Sequence, residues 1–455
     1  MSKVEQMATP TAASAETGHA VEKIAGVLAP ARRRVLLVSP YYSPSAAVGA
    51  KRFAFLSREF VRYGYEVETL TLRLHPDDRV DETLPQAGSV HAVRCMLPRI
   101  RPGGKLLPRL YERLMSSVLR IPDRYAGWLP GSILVGRRLV KANRPDVVIA
   151  TGPPFTAFMT GVVLSRIAGA KLILDYRDPW TAFEWGSGNR GRARKQGRLH
   201  GRLERWAVKS ADGMVFTSET MRERFQANIG VPSGAVSRVL TNGFDDSRSI
   251  EPLHLSPGRV NILYAGMLHG QRRVADLTDA LHALRDEGAS GEAQPAIHVF
   301  GSIRPDDWRR IRDKGLAHIV HVHQQVDHAS ILQFMKGADI LYLPTGGALP
   351  YSYDLPFKLF DYISVRRPIL AVAPRNSATA EFMAIVNCGE VAHPGEADSM
   401  VEALRRLLAG TRQYSYVGRD NYTWEIIGQR YAALVSALSD GQRFGDECLG
   451  EKPPQ

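Results

Sequence analysis

The chain has 455 residues, 44% of them hydrophobic and 23% charged, the balance of a soluble globular protein too long for one compact core. Its three cysteines, Cys95, Cys388 and Cys448, lie far apart, which excludes a disulfide framework or a thiolate zinc site and suits a reducing cytoplasm. A formal net charge of +13 points to an anionic partner: a phosphorylated ligand, an acidic membrane surface or nucleic acid.

Residues 1–30 are rich in Ala, Ser, Thr and Glu and have no apolar h-region, so they read as a disordered tail, not a signal peptide. Short β-branched runs then alternate with helix-length amphipathic stretches, the pattern of parallel sheets with crossover helices. The strand candidates are Val35–Ser39, Glu66–Leu72, Val90–Cys95, Asp146–Thr151, Lys171–Asp175 and Met214–Thr217. The longest uncharged stretch, Val147 to Ser165, is split by Gly152-Pro153-Pro154 and reads as strand, turn and buried helix rather than a membrane span. After the turn-rich "TNGFDDSR" the rhythm restarts with Val260–Ala265, Ile297–Gly301, Ile319–Val322, Ile340–Leu343 and Ile369–Ala373. The expected fold is α/β: two Rossmann-like, doubly wound parallel-sheet domains, 31–245 and 246–415, facing a cleft at the carboxyl ends of their strands. A last amphipathic helix within 416–440 returns to the first domain, and 441–455 is a second disordered tail.

Several stretches carry candidate chemistry. "SPYYSPSAAVGAKRF" follows the first strand, where Gly49 permits close approach of a ligand or simply connects strand to helix. It is not G-x-G-x-x-G, and no G-x-x-x-x-G-K-[ST] occurs, so dehydrogenases and P-loop ATPases lose support. "LDYRDPWT" sets Asp175, Arg177 and Asp178 at a strand's carboxyl end, as an active-site loop or a buried Arg–Asp pair. "ILYAGMLHGQRRVADL" offers Gly266, His269, Arg272 and Arg273 before a helix, where a bound diphosphate would explain basic residues set against the helix dipole. "YDLPFKLFDYIS" starts a helix near Pro356 and places Lys358 and Asp361 three residues apart, as a phosphorylated-ligand site or as a surface ion pair. No H-x-x-x-H or Asp-x-Asp pair supports a metal site, so none is expected. From Arg99 to Arg144 eleven Lys/Arg face two acids, with Leu107, Leu110, Tyr111, Leu114 and Val118 at helical spacing. This reads as an anionic-membrane surface or a solvated helix. "NRGRARKQGRLHGRLERW" reads as a Gly/Arg-rich loop at the cleft rim running into a helix; it lacks interleaved aromatics, so nucleic acid is not expected.

Five stretches in this order, "VLLVSPYYSPSAAVGAKRF", "PDVVIATGPPFTAFMTG", "LILDYRDPWT", "ILYAGMLHG" and "PFKLFDYISVRRPILAV", resemble the GT-B glycosyltransferases. More narrowly, they resemble the retaining family-4-like enzymes of bacterial cell-surface and exopolysaccharide biosynthesis. The resemblance spans residues 33–438. It implies a nucleotide-diphospho-sugar held mainly by the second domain and a lipid-linked or oligosaccharide acceptor held by the first. It further implies that Asp361 binds the nucleotide ribose, that Lys358 and Arg272 meet the diphosphate, and that the Gly49 and Gly266 loops approach the donor. The usual E-x7-E pair is reduced to Asp361, with Tyr353 at the first position. The histidine common after the fifth strand is Arg177, with Asp178 kept, and the arginine common after the second-domain glycine is Met267. Arg177 and Asp178 are the catalytic candidates of a metal-independent hexosyl transfer with retention, needing no cofactor. The enzyme is expected in the cytoplasm, at the inner face of the cell membrane. A nucleotide-sugar 2-epimerase and a non-catalytic partner protein of the same fold are the other readings.

Overall fold

The computed structural model describes residues 33–96, 121–181, 190–247, 249–268, 270–287, 294–347 and 352–441. The expected tails, the helix around Leu107–Val118 and His269 lie outside these residues; Gly441 alone of the second tail lies within them.

The first sheet contains β1 (Arg34–Val38), β2 (Glu66–Leu72), β3 (Ser89–Val93), β4 (Val147–Gly152), β5 (Lys171–Tyr176), β6 (Gly213–Phe216) and β7 (Val236–Val239). Its order is β3-β2-β1-β4-β5-β6-β7, every pair parallel. The second sheet contains β8 (Val260–Met267), β9 (Pro295–Ser302), β10 (Val320–His323), β11 (Ile340–Pro344), β12 (Ile369–Val372) and β13 (Gly389–Ala392), ordered β10-β9-β8-β11-β12-β13 and again all parallel. Each is the doubly wound order in which the chain starts centrally, runs to one edge and returns to build the other, leaving a ligand crevice at the reversal. The two sheets are the two Rossmann-like domains.

Local sequence explains the elements. All six residues of β4 are buried, because helices cover both faces of a parallel sheet. The helices that matter below are α1 (Val48–Arg62), α2 (Leu129–Asn143), α3 (Thr156–Ala168), α4 (Arg190–Val208), α5 (Glu219–Asn228), α6 (Ala275–Asp286), α7 (Pro305–Asp313), α8 (His328–Gly337), α9 (Phe357–Ser364), α10 (Ala378–Val386), α11 (Ala397–Ala409) and α12 (Trp424–Ser439). Side-chain oxygens of Ser218, Asp327, Ser377 and Thr423 accept the free N–H groups that open α5, α8, α10 and α12. The stretch read as a Gly/Arg-rich loop is helical from Arg190 onward. Two strands escape the sequence pattern, β7 (VSRV) and β13 (GEVA).

The chain crosses between the domains twice, and the crossings run side by side: the Trp424 N–H donates to the Phe244 carbonyl at 2.9 Å and the Phe244 N–H to the Tyr422 carbonyl at 3.1 Å. Helix α12 then packs on α1. Trp424 stacks on Phe55 at 5.3 Å, and Ile427, Tyr431, Leu434 and Val435 join the apolar cluster that holds Phe53 and Phe60. At Gly428 the helices touch so closely that a Cβ would lie 2.5 Å from that of Glu59. Among the described residues no helix is long and apolar enough to cross a membrane.

Candidate active site

A cavity of about 2030 Å3 opens between the domains, lined by the loops after β1, β2, β3 and β5 on one side and those after β8 and β11 with α9 on the other. Of the sequence candidates, Arg177, Asp178, Gly266, Arg272, Lys358 and Asp361 all line it, and Gly49 lies directly behind Arg177. A Cβ at Gly49 would overlap the Arg177 guanidinium, so the absent side chain gives that guanidinium its seat on α1's first turn. Arg177 Nε donates to Thr151 Oγ1 at 3.1 Å, and burial lowers its pKa against the pull of Asp178 and Asp175.

Asp175 and Asp178, three residues apart, have separate fates. Asp175 is fully buried and paired with Arg52 of α1 at 2.9 Å, while Arg52 also donates to the Thr241 and Leu240 carbonyls at 2.7 and 2.8 Å. Tyr431 of α12 donates to the same carboxylate at 3.3 Å. This is the structural Arg–Asp pair, formed by Asp175 and a partner 123 residues away. Asp178 faces the cleft, where burial raises its pKa and the nearby Arg177 and Arg272 counter that rise.

In the second domain, Lys358 and Asp361 do not form the surface ion pair that their spacing allows. Lys358 Nζ donates to the Tyr264 hydroxyl at 2.9 Å and lies 4.3 Å from the centre of that ring. It occupies the space a side chain at Gly266 would fill, and Gly266 has φ +128°, a conformation glycine tolerates. Burial, with the charges of Arg272 and Lys51, brings the Lys358 ammonium down to about 7. Asp361, buried, meets His328 Nε2 at 3.0 Å and Lys51 Nζ of the first domain at 3.9 Å. Burial pushes its pKa up, but His328, Lys51 and Lys358 together hold it below the ordinary value.

Arg272 pairs with Asp354 at 3.1 Å and donates to the Thr345 carbonyl, also at 3.1 Å. Arg273 turns away to Asp307, 3.2 Å distant. Carboxylates therefore answer both arginines before α6, so the basic pair needs no bound anion to explain it. Tyr353 lies in the first domain's apolar cluster, its carbonyl accepting from Ser218 Oγ at 2.7 Å. Its neighbour Asp354 lines the cleft. Burial raises Asp354 to about 6, Arg272 opposing and Asp178 reinforcing the rise. Asp354, His328, Lys51 and Tyr264 are the site residues that sequence reasoning left unassigned. Two had a nearby signal: Asp354 is one position along from the Tyr353 substitution, and Lys51 stands two residues after Gly49. Among the described residues no group of three or more His, Cys, Asp or Glu is arranged to hold a metal ion.

Two facing Rossmann-like domains place this cleft at the carboxyl ends of their strands, where sheets of this kind bind ligands. The glycosyl transferase 4-like domain family matches residues 49–243, and the glycosyl transferases group 1 family matches residues 259–410. The chain belongs to the GT-B glycosyltransferases and is an enzyme of the hexosyltransferase type. Its fold is similar to that of the sucrose-phosphate synthase of Thermosynechococcus elongatus (TM-score 0.66, 16% identity, covering 90% of this chain and 100% of that one). Anabaena HepE in complex with UDP is also similar (TM-score 0.58, 14% identity, 89% and 100% covered). So is WaaG, a glycosyltransferase involved in lipopolysaccharide biosynthesis (TM-score 0.54, 17% identity, 90% and 100% covered). No curated protein sequence matches significantly.

Proposed function

We propose that the enzyme moves a sugar, with retention of its anomeric configuration, from a nucleotide-diphospho-sugar to a lipid-linked glycan in cell-surface or exopolysaccharide biosynthesis. One observation carries the donor side of this reading: Lys358, Arg272 and, from the opposite domain, Lys51 feel one another's charge in one cleft, around the buried carboxylate Asp361. Asp354 and Asp361 offset these three cations only in part, since the Lys358 ammonium is still brought down, and a bound anion would relieve the remaining positive charge.

In this reading Lys358 and Arg272 hold the diphosphate and stabilise the negative charge that grows on it as the glycosidic bond breaks. Asp361, oriented by His328, receives the ribose hydroxyls. Arg177 adds first-domain charge beside the Gly49 backbone. Asp178 accepts the hydrogen bond of the incoming acceptor hydroxyl and takes its proton, a role that its upward-shifted pKa favours. Asp354 is tied to Arg272 and Asp361 to His328, and Asp178 is given the acceptor's proton in this reading, which leaves none of these three carboxylates as the nucleophile. Attack on the donor's leaving-group face, with the departing phosphate assisting, fits this better than a covalent sugar–enzyme intermediate. Cations supply the charge stabilisation that a metal gives elsewhere, so transfer is metal-independent. Both matching families are those of transferases, which favours transfer over 2-epimerisation.

A thermal-shift screen of UDP-, GDP- and dTDP-sugars in excess EDTA tests the donor reading. One donor should raise the melting temperature, since a ligand bound only by the folded state stabilises it. Stabilisation by none, or only after magnesium or manganese is added, contradicts the reading. The net charge of +13 also supports peripheral attachment at the inner membrane face, where each basic residue near an anionic surface contributes about 1 kcal/mol. Flotation should show salt-sensitive binding to anionic liposomes, and equal binding to neutral ones would remove the membrane from the account.

A further inference from the structure

The first domain's wall of the cleft holds cations that the donor reading leaves unused. Arg73 follows β2, Arg94 follows β3 and Arg124 precedes α2, and all three line the cavity beside Tyr41 and Tyr125. The backbone keeps them together. The Arg73 N–H donates to the Val93 carbonyl, next to Arg94, at 2.8 Å, and the Met96 N–H donates to the Gly127 carbonyl, near Arg124, at 2.9 Å. The Arg124 guanidinium lies 4.9 Å from the centre of the Tyr125 ring and donates to the Tyr41 hydroxyl at 3.3 Å. The two tyrosine hydroxyls are 2.7 Å apart, with their rings edge to face.

Other arginines of this domain show what an answered charge looks like. Arg33 pairs with Asp440, Arg34 with Glu66, Arg58 with Asp245 and Arg62 with Glu59. Arg73, Arg94 and Arg124 form no ion pair among the described residues. Of the carboxylates on the same rim, Asp78 accepts the His75 N–H at 2.8 Å, Asp81 accepts the Thr83 N–H at 3.1 Å and Asp77 lies 3.4 Å from His75 Nδ1. An anion entering along this wall meets cations that no carboxylate among the described residues neutralises. The planar arginine fork matches a carboxylate or a phosphate.

We infer that this wall binds an anionic group on the acceptor, a carboxylate or phosphate carried by its sugar or by the lipid to which the sugar is attached. The inference rests on the transferase reading, in which the donor occupies the opposite wall. The cleft then holds two anion sites of different make-up: Lys358 and Arg272 for the donor, and Arg73, Arg94 and Arg124, the last of them against the tyrosine pair, for the acceptor.

Titration of the wild type and of an Arg94→Gln/Arg124→Gln double variant with two matched pairs of probes tests this. The pairs are p-nitrophenyl glucuronide against the glucoside, and farnesyl phosphate against farnesol. Wild type should bind the charged member of at least one pair about tenfold or more tightly than the neutral one, the scale of a hydrogen bond to a charged group. The double variant should lose that preference while its affinity for UDP stays as in wild type. A glucuronide preference supports an acidic sugar, and a farnesyl phosphate preference supports a lipid phosphate. Equal binding of charged and neutral probes, no binding of either, or a preference unchanged in the double variant overturns the inference. If wild type fails to bind UDP but keeps an Arg-dependent charge preference, the UDP donor reading falls and the acceptor assignment stands.

Discussion

Lys358 sits where positive charge is already crowded, and that sets a measurable pH dependence. Its ammonium is brought down to about 7 by burial first, then by Arg272 and Lys51, so near neutrality the free enzyme holds it only partly protonated. A diphosphate favours the charged form, and binding should take up a proton. Affinity should then fall as pH rises above about 7, by up to tenfold per unit while the bound form stays protonated, and level off below it. Calorimetry in buffers of unlike ionisation enthalpy reads the proton directly; no uptake at pH 8 would mean that Lys358 does not meet the phosphates. At this scale the sequence displayed candidates that the fold brings to one cleft, because Gly49, Arg177, Asp178, Gly266, Arg272, Lys358 and Asp361 stand in loops after strands or at a helix start. It could not display partners. Asp361 lies three residues from Lys358 in the chain, yet its contacts are His328, the first residue of α8, and Lys51 of α1. Whether a carboxylate faces a cleft or a core is likewise a matter of which side of the strand end it leaves, as Asp175 and Asp178 demonstrate.

Helices α1 and α12 with strand β5 form the joint between the halves of the chain. Arg52, Asp175 and Tyr431 come one from each, and Arg52 reaches the carbonyls of the crossing segment at Leu240 and Thr241. Removing one member of a buried ion pair leaves the other charged and unsolvated, at a cost of about 3–5 kcal/mol. Asp175→Ala should therefore lower the melting temperature by roughly 10 °C, and Arg52→Met combined with Asp175→Leu should recover most of the loss. Scanning calorimetry of the three proteins checks this, and an unchanged melting point in Asp175→Ala would show that the pair is not what holds the joint. The central strands of these domains, such as β4 and β12, were legible because parallel strands buried on both faces read as continuous apolar runs. The exceptions have a physical cause: β7 and β13 are four-residue edge strands, one carrying Ser and Arg, the other Gly and Glu, so neither shows a buried run. The helical reach of α4 was hidden because repeated glycines lower local helix propensity.

The whole molecule is two sheets of one winding order, set so that their strand ends face a single cavity. Its two walls differ in kind. The second domain supplies a buried carboxylate and cations partly offset by acids, while the first supplies Arg73, Arg94 and Arg124, which form no ion pair among the described residues, on the wall that carries Tyr41 and Tyr125. A donor that spans the cleft would be held by both domains at once, since Lys51 of one reaches Asp361 of the other. The central claim, that Lys358 and Asp361 hold a nucleotide-diphospho-sugar in that cleft, is tested most directly by measuring donor affinity and turnover in Lys358→Ala and Asp361→Asn beside wild type. Lys358→Ala should lose both, because charge on the leaving diphosphate grows toward the transition state. Asp361→Asn should lose mainly affinity, by about tenfold to a hundredfold, the worth of a hydrogen bond to a charged group. Wild-type affinity and turnover in both variants would contradict the account.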